Sequence, residues 1–116
     1  MDKVDLFNVL SKESKKSFIC HLHYKNKFSI GKYKQLIRAY KFFLLNVDKI
    51  EGREKIISEF LDVFLHTLFL FVCDNDKEDL YKIEPPINFE YKVNVYNKFR
   101  EMTECLIRVQ RNKLSG

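Results

Sequence analysis

The sequence predicts an all-α fold, a compact bundle of four to five helices. Three observations lead there. Apolar residues recur at spacings of 3 and 4 along three long segments. Only three Gly and two Pro occur in 116 residues, which excludes collagen-like and low-complexity chains. Hydrophobic residues make up 46% and aromatics 15%, which fills a core and excludes a disordered or collagen-like chain. The length suits one helical domain over residues 1–116.

Each element has its own signature. Asp2 to Leu10 reads as a short helix with Leu6, Phe7 and Leu10 inward. Ser11 and Ser14 break it and offer N-caps. Ser14 to Tyr24 follows as a helix with Phe18, Ile19 and Leu22 on one side, and Lys25-Asn26-Lys27 reads as a turn. Ser29 caps the next helix, whose stripe is Tyr33, Ile37, Tyr40, Leu44 and Val47, with Gly52 as its C-terminal signal. Arg53 to Cys73 is the most apolar element, with a core stripe of Ile57, Phe60, Phe64, Leu68 and Phe71. Beyond His66 it is apolar all round, so Leu68–Cys73 is expected to be buried on several sides or to meet a partner. Asp74 to Pro86 is the main loop, stopped by Pro85-Pro86. Phe89, Tyr91, Val93 and Val95 alternate with polar residues, which leaves room for a short extended segment near residues 88–93. Val95, Phe99, Met102, Leu106 and Val109 then define a helix from about Val93 to Lys113, with Arg100, Glu104 and Arg108 supporting its exposed face.

The formal charge of +5 is unevenly spread. Residues 1–50 carry +7, residues 51–83 carry −4 and residues 84–116 carry +2. Such a lopsided chain can steer a charged partner. Lys25, Lys27, Lys32, Lys34, Arg38 and Lys41 cluster in the basic half, with Tyr24, Phe28, Tyr33 and Tyr40 among them. Cations could meet phosphates there while bases stack on the rings. Against this, Lys outnumbers Arg 16 to 5, and base recognition leans on Arg forks. The opposite pole is the loop, where Asp74, Asp76, Glu78, Asp79 and Glu84 surround Tyr81. Clustered acids can neutralise a cationic cleft, and an aromatic can anchor the contact.

Chemistry is sparsely marked. Cys20, Cys73 and Cys105 form no CxxC pair, and each lies in an apolar stretch, as in a reduced intracellular protein. Glu59, Asp62 and His66 share a helical face and could serve as acid–base groups or metal ligands, but no HExxH or ExxH frame accompanies them. His21 and His23 would point about 200° apart on a helix and could not share one ion. No Gly-rich phosphate loop, EF-hand frame or GxSxG elbow is present, and no His follows an Arg at the spacing of helical ribonucleases. Neither a signal-peptide core nor a long uninterrupted apolar run appears, so no membrane span is expected. Favoured Lys, Ile, Asn, Phe and Tyr suggest an AT-rich bacterial or phage source.

The expectation is therefore a small cytoplasmic protein without catalysis, cofactor or metal, acting by contact. An immunity or antitoxin-type inhibitor fits, covering a toxin, such as a nuclease, with the loop residues Asp74, Asp76, Glu78, Asp79, Tyr81 and Glu84. The alternative is a nucleic-acid-binding regulator using the basic half, and a site at Glu59, Asp62 and His66 is the enzymatic exception. The premise is that no cleft gathers reactive groups from separate segments.

Overall fold

A computed structural model describes the backbone of residues 3–115 and the side chains of residues 5–112. The fold is an all-α bundle with five α-helices and, among the described residues, no strands. They are α1 (Lys3–Leu10), α2 (Phe18–Lys25), α3 (Ile30–Leu45), α4 (Arg53–Asn75) and α5 (Phe89–Ser115), with a short 3₁₀ turn at Val47–Lys49. Contacts divide the chain into two units, Met1–Pro86 with α1 to α4, and Ile87–Gly116 with α5.

In the first unit α1 packs on α2, α3 and α4, and α2 packs on α3 and α4. The core is aromatic. Phe18, Phe28 and Tyr33 meet ring to ring, and Phe28 continues to Phe71. Tyr40 and Phe43 of α3 pack on Phe60, which touches Phe64. Offset and edge-on contacts of this kind add to the burial of the rings themselves.

Several expectations shift by a position or two. α1 buries Leu6, Val9 and Leu10 but exposes Phe7. An eight-residue helix offers one buried stripe, and Phe7 lies about 100° round from Leu6. α2 starts at Phe18 because Ser17 caps it. The buried Ser17 hydroxyl accepts from Cys20 N at 3.1 Å and donates to Ser14 O at 3.0 Å. α3 buries Leu36, Ala39, Tyr40 and Phe43 in place of the Tyr33–Ile37–Leu44–Val47 register. Its apolar band is wide enough for both phases, and only packing chooses between them. Gly52 adopts φ 70° and opens α4, its carbonyl accepting from Lys55 N and Ile56 N, so it does not end α3. α4 buries Ile57, Phe60, Phe64 and Phe71 as expected, adds Ile56, Val63, Thr67 and Leu70, and leaves Leu68 only half-buried.

The second unit is helical from Phe89, so the extended segment near residues 88–93 is absent. Asn88 is the reason. Its Oδ1 accepts from Tyr91 N at 2.7 Å and its carbonyl accepts from Lys92 N, which closes the first turn. Arg100 and Glu104 form the expected i, i+4 pair at 3.5 Å. Val95, Phe99, Met102 and Leu106 are buried residues of this helix.

By length and composition α4 is the one described helix able to cross a bilayer, although Asp62 and His66 interrupt its apolar run. Its Phe60, Phe64 and Phe71 rings are engaged in the core of the first unit.

Candidate functional sites

Three places in the first unit gather the residues that the sequence marks. The first is a pocket of about 490 Å³ lined by Glu59, Asp62 and His66 of α4 with Lys12 from the α1–α2 connection. Leu10, Ile19, Val63 and Phe69 supply apolar walls. Regular helical spacing brings the α4 trio to one side, as the sequence implies. The structure adds groups from other segments, against the premise of no converging cleft. His23 of α2 reaches His66, with Nδ1 2.8 Å from Nε2. The His23 ring also meets Tyr24 edge-on, and Tyr24 donates its hydroxyl to Glu13 at 3.4 Å. Burial pushes the His66 pKa below the usual imidazole value, with the nearby positive charge of His23 and Lys12 acting in the same direction. His21 turns to its own helix, its Nδ1 3.2 Å from Ser17 O, so the two histidines of α2 do part company. Among the described residues no three His, Cys, Asp or Glu side chains are grouped to hold a metal ion.

The second place is the acidic loop. Its carboxylates organise the backbone. Asp76 Oδ1 accepts from Glu78 N at 2.9 Å, and Asp79 Oδ1 accepts from Tyr81 N at 2.8 Å, two Asx turns in succession. Asp74 Oδ1 accepts from Ile83 N at 2.7 Å, which lets Ile83 bury its side chain. Lys82 points inward. Its Nζ donates to the carbonyls of Cys73, Asp74 and Asp76 at 3.5, 3.2 and 2.6 Å, a cation seated on the negative end of α4. The far side of the loop is pinned to α2. Tyr81 donates its hydroxyl to Leu22 O. Burial, followed by the negative charge of Asp74, raises the phenol pKa far above its usual value, so Tyr81 stays a donor. Asn26, in the left-handed region at φ 54°, donates from its side chain to Lys82 O at 3.1 Å and accepts from Glu84 N at 2.8 Å. Tyr81 is therefore half-buried and engaged at home. Leu80 beside it is 98% exposed. Nothing singled Leu80 out in the sequence, although a large aliphatic residue inside an acidic connector is itself a signal.

The third place is the outer surface of α3. Lys34, Arg38 and Lys41 share one helical face, all exposed, and Lys25 at the end of α2 and Lys27 in the following turn are exposed as well. Lys32 is half-buried. No acid occurs in α3. The aromatic residues between these cations mostly turn inward. Phe28 and Tyr33 join the core rings, Tyr40 is buried, and only Tyr24 is exposed.

One more surface was hidden by the uniform greasiness of α4. Leu65, Phe69 and Val72, at i, i+4 and i+7, are 68, 59 and 66% exposed. They form an outward apolar stripe, and its C-terminal end is the end that carries the acidic loop.

No protein-family model, no curated protein and no solved structure matches this chain.

Proposed function

We propose that this chain is a protein-binding inhibitor of the immunity or antitoxin kind, its contact surface made by the outward stripe of α4 and the acidic loop at the end of that helix. The occupant is a basic protein, such as a nuclease, with an apolar socket rimmed by cations. The supporting observation is the side-chain economy of the loop. Lys82 is turned onto backbone carbonyls, leaving Lys77 as the exposed cation of the segment. Asp76, Glu78 and Glu84 are exposed, as is Leu80. The exposed side chains of the loop are thus mostly acidic, and Leu80 gives them an apolar tip. Acids of this kind speed the encounter with a cationic partner, while a central apolar residue slows release. The loop is held by hydrogen bonds at both ends, so little ordering cost remains for binding.

The test places a photo-crosslinking residue at Leu80 in cells that express the chain. The expected product is a crosslink to a basic protein, lost when Asp76→Lys and Glu78→Lys are added. A crosslink that survives both reversals, or none at all, overturns the proposal.

A second reading rests on the acid-free ridge Lys34, Arg38 and Lys41. It supports contact with nucleic-acid phosphates without base stacking, since the neighbouring rings face the core. Retention on random-sequence DNA or RNA that falls steeply with salt, and is lost in the Lys34→Gln, Arg38→Gln, Lys41→Gln variant, would favour it. Salt-insensitive or absent retention removes it.

A further inference from the structure

Neither binding surface uses the contact at the edge of the pocket. His23 of α2 and His66 of α4 are 43 residues apart in sequence, with ring nitrogens 2.8 Å apart and ring centroids 4.8 Å apart. A hydrogen bond between two imidazoles needs one nitrogen with a proton and one with a lone pair. Two neutral rings satisfy this, and so does one neutral ring facing one imidazolium. Two imidazoliums do not. They set N–H against N–H and place like charges at contact distance.

We propose that the His23–His66 pair is a proton-operated latch, closed near neutral pH to clip α2 to α4, and opened by double protonation so that α2 releases the acidic loop. The link to the loop is direct. His23 follows Leu22, whose carbonyl holds Tyr81, and precedes by three residues Asn26, which holds Lys82 and Glu84. A displacement of the last turn of α2 moves both anchors. The latch depends on no partner and stands or falls apart from the inhibitor proposal.

The surroundings bias the latch in both directions. Lys12 adds positive charge beside His66 and favours opening. Glu59 and Asp62 line the same pocket and oppose it. Tyr24 packs on His23 and links it to Glu13. α1 contributes Leu10 to the pocket lining, and α3 contributes no titratable group there among the described residues. Burial lowers the His66 pKa in the folded chain, so the unfolded or opened chain binds the proton more readily. The stabilising contribution is therefore complete above the ordinary imidazole pKa, about 6.5, and is lost as pH falls from there toward the lowered folded value.

The experiment follows the wild-type chain by NMR from about pH 7.5 to about pH 5, a range that spans imidazole titration. It reads the two imidazole titrations and the exchange of the Glu84 amide, corrected for intrinsic exchange. The expected result is a second protonation displaced to lower pH than the first, with Glu84 protection falling severalfold across that second step. In His66→Gln the protection should be flat over the same range. Independent titration of both rings at ordinary values overturns the latch, and so does unchanged Glu84 protection in the wild type. The wild-type titration decides alone if the variant fails to fold.

Discussion

α4 carries two apolar faces built from the same residue types. The inner one, with Phe60, Phe64 and Phe71, lies among aromatic rings. The outer one, with Leu65, Phe69 and Val72, meets solvent. By composition the two are indistinguishable. Their energetic roles are opposite, because burial of apolar area stabilises only when neighbours remove it from water. The comparison separates residues that hold the molecule together from residues left available to another surface.

Substitutions can sharpen that contrast. Phe60→Ala on the inner face should cost about 3–5 kcal/mol in denaturant unfolding, since it empties a fully buried site contacted by three rings. A smaller loss would mean that the inner face collapses around the gap. Asp74→Ala, just where the helix hands over to the loop, leaves the Ile83 amide without its acceptor and should cost about 1–3 kcal/mol, with faster amide exchange at Ile83. Tyr81→Phe removes only the hydroxyl held by Leu22 O and should cost about 1 kcal/mol by the same measurement. On the outer face, Phe69→Ser should move stability by no more than about 0.5 kcal/mol while abolishing the crosslink at position 80. If Phe69→Ser destabilises like Phe60→Ala, the two faces are not different in kind and the outer stripe is not a contact surface.

Much of the helical layout was legible because periodicity is a local property. Ser29 caps α3 as its position suggests, and the stripe through Val95, Phe99, Met102 and Leu106 is buried. Phase was harder to read. α3 has apolar residues on both sides of Tyr40, and nothing local says that Ala39 faces inward. α4 shows its inner stripe through Ile57, Phe60 and Phe64 but conceals its orientation beyond His66, where apolar residues on every side give the same pattern at any rotation. The charged segments were legible as charge and illegible as geometry. Asp74, Asp76 and Asp79 look like solvated acids, yet each accepts from a backbone amide. The His23–His66 contact lay furthest from view. Helical spacing told His23 apart from His21, but only tertiary packing could bring it to α4.

Lys82 has a practical consequence. Fluorescent dyes and biotin tags are commonly coupled to proteins through primary amines, and acylation abolishes the ammonium charge. At Lys82 that would strip the C-terminal carbonyls of α4 of their counter-charge while leaving the aromatic core intact. A preparation labelled in this way would keep its helical circular dichroism and melt cooperatively, yet present a damaged surface to any bait.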